Sequence, residues 1–258
     1  MLEMFKQHLM HQTDQMSARI VKEIERGAVN VTAQPQAMVI QSIDIALEST
    51  ALISDLTAYI LRNHTAYPFI FGDAPVVFCN TLYQRVVRRG VLGLQTPGLQ
   101  IFYPLNSESM LLLIDHDGYR GRFKNSPFID VTERSDVSQL NALQLHHSLN
   151  TIYFAVAQAG EYVLDLWNAH KGRIVQPAIN GTWKRGWLVD GKPVSDLYHS
   201  FEPQLSIRLQ LSFIECDPIS DQDFKFRHRA PELVKRHKEW FKDTQQRKAT
   251  PFANSKGS

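Results

Sequence analysis

Hydrophobic side chains in the first part of the chain recur at the three- and four-residue steps of an α-helix. In residues 2–26 these positions include Met4, Leu9 and Met16. Residues 37–62 repeat the pattern as a broader hydrophobic stripe, which is typical of a helix packed on a sheet. We therefore predict a helical region over residues 1–63, interrupted where a proline breaks the pattern.

From residue 67 the pattern changes to short hydrophobic runs separated by prolines and glycines. These runs indicate strands over residues 67–131. Helix periodicity returns over residues 135–170, and strands are predicted again over residues 173–216. The chain therefore passes from helix to strand twice.

Two segments of the second strand region indicate antiparallel pairing. Residues 205–213 alternate strictly between hydrophobic and polar side chains, which favours a sheet with one buried face and one face in water. Asp190-Gly191 lies between two strand-like runs, and both residues tolerate the backbone conformation of a two-residue hairpin turn.

Helix and strand regions follow one another without regular alternation, so the sequence predicts an α+β fold. We expect a mainly antiparallel central sheet flanked by long helices, in a single domain over residues 1–218. A basic helical tail is predicted over residues 219–250, and residues 251–258 are predicted to be a disordered end.

The composition is that of an ordinary soluble globular protein. The chain has 258 residues, of which 43% are hydrophobic and 21% charged, and its formal net charge is +2. Because the net charge is small, the chain as a whole is not attracted to nucleic acid or to a membrane. Binding to either must come from local patches of charge. The two cysteines, Cys79 and Cys216, are far apart, as expected in a reducing compartment. With no signal-peptide core and no hydrophobic run long enough to cross a bilayer, we predict a cytoplasmic protein without membrane contact.

Residues 67–80 place Gly72, Asp73 and Pro75 between two strand-like runs. One interpretation is a local turn, in which the Asp73 carboxylate accepts a backbone N–H two residues on and Pro75 fixes the exit. The other is a carboxylate at a strand end that serves as a metal ligand or general base in a cleft. The turn is favoured because it explains the glycine, the aspartate and the proline together.

Three sequence elements follow one another in a recognisable order. They comprise Phe69, Ile70, Asp73, Pro75 and Val76, then Pro104-Leu105 before a hydrophobic strand, then Asn150 near the start of a helix. In this order, over about residues 40–170, they resemble the family called domain of unknown function 4238. The resemblance implies a shared fold and no particular reaction, because the family is uncharacterised.

The sequence departs from that family's pattern in three places. Gly72 stands where the family usually has serine, and Asn106-Ser107 replaces a Ser-Pro pair. The family's N-terminal His-Tyr-Val-Pro segment has no counterpart in residues 1–10. An activity that depends on that histidine would not extend to this chain.

Residues 114–122 concentrate Asp115, His116 and Asp117 beside two arginines. Carboxylates hold divalent ions and arginines hold phosphates, so the segment is a candidate for metal-dependent phosphodiester chemistry. On a strand, Asp115 and Asp117 would share one face while His116 pointed to the other. The favoured alternative is a hairpin tip with Asp117-Gly118 at the turn.

Other catalytic and ligand-binding signals are weak. His8 with His11, and His146 or His147, are minority candidates for metal ligands, because none has a third ligand at a recognisable spacing. The sequence contains no Gly-x-Ser-x-Gly elbow, no Walker loop and no dinucleotide-binding glycine motif after a strand. Nucleotide cradling by a glycine-rich loop is therefore not expected.

Basic residues cluster in the tail and in a second patch beginning at Arg85. Residues 225–248 contain nine Lys or Arg and only three Asp or Glu. The aromatic side chains of Phe224, Phe226 and Trp240 could stack on bases or anchor the segment. The alternative is a solvated helix whose aromatic side chains dock on the body of the protein. The residues predicted to bind nucleic acid are Arg85, Arg88, Arg89, Arg120, Arg122, Arg227, Arg229, Lys235, Arg236 and Lys238.

These features favour a nucleic-acid-directed protein that contacts RNA or DNA, as a metal-dependent nuclease or effector of a bacterial conflict or defence system. Its predicted catalytic residues are Asp73, Asp115, Asp117 and Asn150, with a divalent metal as the cofactor. The alternative is a non-catalytic interaction module, or a subunit of a larger complex with a protein partner, because no specific catalytic motif occurs. Convergence of the four residues in one cleft would favour the enzyme.

Overall fold

The fold is taken from a computed structural model, which describes residues 35–86, 90–121, 123, 126–173, 181–184, 187–189, 192–194, 197–200 and 207–249. The chain divides into two compact units. The first comprises Met1–Ser49 with Asn180–Ser200, and the second comprises Thr50–Ile179 with Phe201–Ser258.

The described residues contain four α-helices and thirteen short strands, numbered in chain order. The helices are α1 (Pro35–Ser49), α2 (Arg134–His147), α3 (Gly160–His170) and α4 (Pro231–Ala249). The strands are β1 (Thr57–Asn63), β2 (Phe71–Gly72), β3 (Val77–Cys79), β4 (Gln100–Pro104), β5 (Ser109–Ile114), β6 (Arg120–Gly121), β7 (Phe128–Val131), β8 (Ile152–Tyr153), β9 (Gly181–Lys184), β10 (Trp187–Val189), β11 (Lys192–Val194), β12 (Leu197–Ser200) and β13 (Ile214–Glu215). Among these residues no helix combines the length and the hydrophobicity that crossing a bilayer requires.

The second unit is built on a five-stranded sheet in the order β3-β4-β5-β1-β7. Every neighbouring pair is antiparallel except β1 and β7, which run parallel. Strand β5 buries every second residue, including Met110 and Leu112, so one face of the strand enters the main hydrophobic core. Helix α2 contributes Leu140 and Leu143 to the same core. The fold is therefore α+β with a mainly antiparallel sheet, as predicted.

The helix predicted over residues 37–62 is wrong in its second half. Helix α1 ends at Ser49, a 3₁₀ turn follows over Thr50–Ile53, and the chain then enters β1. In β1, Tyr59 and Leu61 are buried at a two-residue spacing. Its threonine, tyrosine and isoleucine favour strands, and pairing with β5 and β7 overrides the helical periodicity.

The strand predicted at residues 205–213 does not form over the described part, residues 207–213, although the alternation persists. The odd-numbered residues from 209 to 213 are buried. The backbone N–H groups of Gln210 and Ser212 donate to the side chains of Gln139 (2.7 Å) and Asp136 (3.0 Å) on α2. Side chains of α2 thus accept the backbone N–H groups that a neighbouring strand would bind in a sheet.

The helical region predicted over residues 135–170 consists of two helices. Strand β8 lies between α2 and α3 and pairs antiparallel with β2. In the first unit, β9 pairs with β12 and β10 pairs with β11. Val189 of β10 lies opposite Lys192 of β11, which confirms the pairing expected of the predicted hairpin.

The basic helical tail predicted over residues 219–250 is not supported as a unit. Only α4 is helical, and the backbone before it is irregular. Phe224 is buried against Tyr83, with ring centroids 5.0 Å apart, and the N–H of Arg229 donates to the carbonyl of Gln95 at 2.7 Å. This part of the chain therefore packs against other segments of the second unit.

Candidate functional site

Asn141 on helix α2 binds the segment that carries the first element of the sequence pattern. Its side chain is fully buried. Oδ1 accepts the N–H of Ile70 (3.0 Å), and Nδ2 donates to the Pro68 carbonyl (2.8 Å) and to the Tyr162 hydroxyl (3.0 Å). Both hydrogens of the amide and its oxygen are thus used, as a buried amide requires.

Gln144 repeats this arrangement one turn later on α2. Its buried amide accepts the N–H of Gly72 (3.2 Å) and donates to the Pro75 carbonyl (2.9 Å). The whole of segment 68–75 is therefore fixed to one face of the helix. We call Asn141, Gln144 and segment 68–75 the amide clamp.

The Asp73 carboxylate extends the amide clamp beyond the end of α2. Oδ1 accepts the N–H of Leu149 (2.7 Å), and Oδ2 accepts those of Asn150 (2.8 Å) and Thr151 (3.2 Å). These backbone hydrogen bonds, the one from Leu149 foremost, hold the pKa of Asp73 below its ordinary value. Asp73 and Asn150 therefore meet, but through the backbone of Asn150. In place of the local turn, Asp73 forms a long-range anchor.

Replacing Gly72 with alanine is expected to destabilise the amide clamp. A Cβ at this position would clash with Ser148 Oγ and would lie 3.2 Å from the Gln144 carbonyl oxygen. Ser148 Oγ donates to that same carbonyl at 2.8 Å, so moving it breaks a hydrogen bond. We expect the free energy of unfolding, measured by urea denaturation, to fall by about 1–3 kcal/mol.

The double variant Gly72→Ala/Ser148→Ala supplies the control for this packing. Alanine at 148 removes the oxygen that a Cβ at 72 would meet, so the double variant should regain most of the lost stability. Equal stability losses in the single Gly72 variant and the double variant would contradict the proposed clash.

Asp115 lies directly after β5 and is buried. Its Oδ2 accepts the N–H of Gly98 (2.7 Å), and its Oδ1 accepts the N–H of Asp117 (3.3 Å), which caps a 3₁₀ turn over His116–Gly118. The predicted hairpin tip is wrong, because the strand after this turn, β6, pairs with β13 instead of β5. The capped turn redirects the chain away from β5.

The four residues predicted to be catalytic occupy two different structural settings. Asp73 and Asn150 lie where α2 ends, whereas Asp115 and Asp117 form the turn after β5. Backbone N–H groups occupy the carboxylate oxygens of Asp73 and of Asp115. Within the described ranges, no group of three His, Cys, Asp or Glu side chains is placed to hold a metal ion.

Two of the four histidines considered as metal ligands lie within the described residues. His146 on α2 contacts His170 on α3, with 3.0 Å between Nε2 and Nδ1. Burial lowers the pKa of His147, so this side chain favours its neutral form. His8 and His11 lie outside the described residues.

A polar cleft with a volume of about 510 Å³ contains two of the predicted nucleic-acid-binding residues, Arg85 and Arg120. Arg120 is paired with Asp217 at 2.6 Å, and both side chains are exposed. Arg85 makes no hydrogen bond or ion pair with any other part of the chain that the structure describes. The remaining predicted arginines of these two segments, Arg88, Arg89 and Arg122, lie outside the described residues.

Arg229, another predicted nucleic-acid contact, is used inside the fold. Its side chain is only 7% exposed. The guanidinium binds both carboxylate oxygens of Asp55, at 2.6 Å and 2.8 Å, and donates to the carbonyls of Thr96, Leu94 and Leu52. Each of the three guanidinium nitrogens therefore has a protein partner.

Three residues before Arg229, Phe226 exposes 63% of its surface between two exposed cations, Lys225 and Arg227. The ring lies against Gly90, where a Cβ would be 3.6 Å from it. Gly90 directly follows the arginine-rich segment 85–89 in the sequence, so the residue after that segment lies against this ring. We call Lys225, Phe226 and Arg227 the aromatic platform.

Helix α4 carries the other predicted contacts on a surface of mixed charge. Lys235, Arg236 and Lys238 are exposed, but Glu232 and Glu239 are exposed on the same helix. Opposite charges at this spacing offset one another, so α4 presents a weaker positive field than its lysines and arginines alone would give.

The family model described as Protein of unknown function (DUF4238) matches residues 2–157, which is more than half of the 258-residue chain. The chain belongs to this family. The DUF4238 match includes the amide clamp, whereas the aromatic platform lies beyond it. Neither the curated proteins nor the solved structures include a match to the chain.

The two amides of the clamp were not among the residues predicted from the sequence. The DUF4238 resemblance had drawn attention to Asn150 and to Asp73, and Asn141 and Gln144 hold the segment that carries Asp73. Asn141 and Gln144 directly follow Leu140 and Leu143, which face the core. A polar side chain beside the hydrophobic stripe of a buried helix is the signal that would have found them, because such a group needs a hydrogen-bonding partner.

Proposed function

We propose that this protein binds single-stranded RNA or DNA through the aromatic platform, with Arg85 as a further phosphate contact. The observation that carries the proposal is the exposure of the Phe226 ring between Lys225 and Arg227. A large aromatic ring held open to solvent is a stacking surface for a base. Cations on either side of it reach the phosphates of the same strand.

The geometry around the ring supports this assignment. Phe224, two residues earlier, is buried against Tyr83, and Arg229, three residues later, is fixed by Asp55. The short segment between these anchors is therefore held in place while Phe226 stays exposed. Within the described residues, neither Lys225 nor Arg227 is occupied by an ion pair. Both cations are available to a phosphate.

The proposal assigns binding and not strand cleavage. The carboxylates of Asp73 and Asp115 already accept backbone N–H groups, which leaves them poor candidates for a metal ligand or general base. Incubation of a labelled strand with the protein and Mg²⁺ should therefore leave the strand intact. Cleavage that is lost in Asp73→Asn, with folding retained, would instead support the metal-dependent nuclease predicted from the sequence.

Phe226→Ala is expected to weaken binding of a fluorescein-labelled single strand by about 5- to 150-fold, because stacking on one ring contributes about 1–3 kcal/mol. Fluorescence anisotropy measures the dissociation constant. Phe154→Ala is the matched control: Phe154 is also exposed, but the segment around it contains no Lys or Arg. The control should bind like the wild type.

A second variant tests the phosphate contacts assigned to Lys225 and Arg227. Lys225→Gln/Arg227→Gln should reduce affinity and also flatten its dependence on salt, because each lost phosphate contact lowers the slope by about 0.7 for a single strand. Equal affinities for wild type, the Phe226 variant and the double Gln variant would contradict binding at the aromatic platform.

A further inference from the structure

The polar cleft that contains Arg85 and Arg120 has the size of a small-molecule site. Its volume of about 510 Å³ lies within the range of about 300–1,000 Å³ that such sites occupy. Its walls come from four parts of the chain: the loop after β3 (residues 81–85), strand β6, the start of α2 and segment 209–218. Folding of the second unit brings these distant segments together.

Three of the five charged side chains that line the cleft have partners within the fold. Arg120 pairs with Asp217 at 2.6 Å. Asp136 accepts the backbone N–H of Ser212 at 3.0 Å and the hydroxyl of the same residue at 2.6 Å. These three groups are therefore satisfied by the protein, and the two remaining charges are the ones that a ligand would meet.

The remaining two, Arg85 and Glu215, are exposed and carry opposite charges. In the part of the chain that the structure describes, neither side chain makes a hydrogen bond or an ion pair. Burial raises the pKa of the Cys216 thiol, Asp217 adds to the rise, and the charge of Arg85 opposes it. Arg85 thus acts electrostatically on the residue next to Glu215, and the cleft offers one cation and one anion to a ligand.

An uncharged group of the cleft also lacks a partner. The side chain of Gln84 carries a buried Oε1 atom that accepts no hydrogen bond from any described residue. A buried acceptor without a donor is costly, so a ligand that brings an N–H group to this wall would be favoured. None of the residues that line the cleft is aromatic, so a nucleobase would find no ring to stack on.

From these observations we propose that the cleft binds a small zwitterion, namely an α-amino acid or a short peptide. The guanidinium of Arg85 would hold its carboxylate, and its ammonium group would face Glu215 and donate to Gln84. Because two guanidinium groups and three carboxylates line the cleft, a free dianion gains little there, whereas a molecule with both charges matches it. This site goes beyond nucleic-acid binding and does not depend on it, although both would use Arg85.

The standard amino acids and the dipeptide alanyl-alanine, each at about 10 mM, serve as probes of the full chain. We expect at least one probe to raise Tm by about 2–4 °C, as a ligand that binds only the folded state does. Calorimetric titration then gives the Kd of that probe. Acetylating its amine, or converting its carboxylate to an amide, should weaken binding by about tenfold, because each change removes one of the two charges.

Variants of the two open charges locate the site. Arg85→Gln and Glu215→Gln should each weaken the probe by about tenfold. Arg236→Gln and Glu108→Gln make the same changes at exposed residues outside the cleft and should leave the Kd unchanged. If alanyl-alanine binds more tightly than alanine, the site takes a peptide, and the reverse order assigns it to a free amino acid.

Three results would overturn the proposal. The first is a panel in which no probe raises Tm, and the second is a Kd that neither Arg85→Gln nor Glu215→Gln changes. The third is inorganic phosphate, titrated in the same way, binding more tightly than every zwitterion, because the cleft would then be a site for a free anion. None of these results bears on strand binding at the aromatic platform, which the Phe226 variant tests separately.

Discussion

Replacing Arg229 with leucine is expected to lower the free energy of unfolding by about 2–4 kcal/mol, because it removes a buried guanidinium that is paired with a partly exposed carboxylate. The substitution leaves the Asp55 carboxylate without its charged partner and removes the hydrogen bonds that the guanidinium donates to three carbonyls. Urea denaturation followed by circular dichroism gives the free energy. Arg229 also ties the segment after the aromatic platform to the second unit, so its loss should loosen that segment as well.

Arg227→Leu is the matched control for this prediction. It makes the same chemical change two residues away, at an exposed side chain, and should alter the free energy of unfolding by less than about 0.5 kcal/mol. Arg229→Lys should fall between the two, since an ammonium keeps the charge but cannot bind both oxygens of Asp55 in a fork. Similar midpoints for Arg229→Leu and the wild type would contradict the structural role.

The Arg229–Asp55 pair also predicts how this loss depends on pH. Burial raises the pKa of Asp55, but hydrogen bonding to Arg229 and the charge of Arg229 outweigh it, so the pKa lies below its ordinary value. A pKa lowered by folding adds stability above the unfolded value of about 4, and this stability is lost as the pH falls through the folded value. The difference between wild type and Arg229→Leu should therefore shrink in acid below about pH 4.

Replacing Asn141 with leucine is expected to lower the free energy of unfolding by about 2–4 kcal/mol. Leucine has a similar volume, so the loss comes from hydrogen bonds and not from a cavity. The variant leaves the N–H of Ile70, which is itself fully buried, and the carbonyl of Pro68 without their partner. A buried backbone group without a partner is costly because water cannot replace the lost bond.

Asn168→Leu tests whether the effect belongs to the amide clamp. Asn168 lies on α3, is exposed, and binds only Lys171 within the described residues, so this variant should stay within about 0.5 kcal/mol of the wild type. If Asn141→Leu proved as stable as Asn168→Leu, the buried amide would not hold segment 68–75.

The sequence predicted the fold class because alternation and periodicity report which side chains avoid water. That information was sufficient for the strands near the centre of the sheet, such as β5, whose buried side chains alternate. It was insufficient for residues 54–62, where a broad hydrophobic stripe fits both a helix and a half-buried strand. Only pairing with β5 and β7, which are distant in sequence, decides between them.

The site was harder to predict because side-chain partners are set by tertiary contacts. Asp73 reads as a local turn residue, yet the N–H groups that it binds lie 76 to 78 residues away. Arg229 reads as one more cation in a basic tail, yet Asp55 and three carbonyls enclose it. Phe226 was one of three aromatic candidates, and burial of Phe224 is what separates the anchoring ring from the exposed one.

Photo-cross-linking tests the central claim most directly. A single strand that carries a photoreactive pyrimidine is irradiated with the wild-type chain, and the cross-linked residues are located by mass spectrometry. We expect cross-links at Phe226, and their loss in Phe226→Ala while Phe154→Ala retains them. Cross-links confined to other parts of the chain, or unchanged by Phe226→Ala, would contradict the aromatic platform as the binding site.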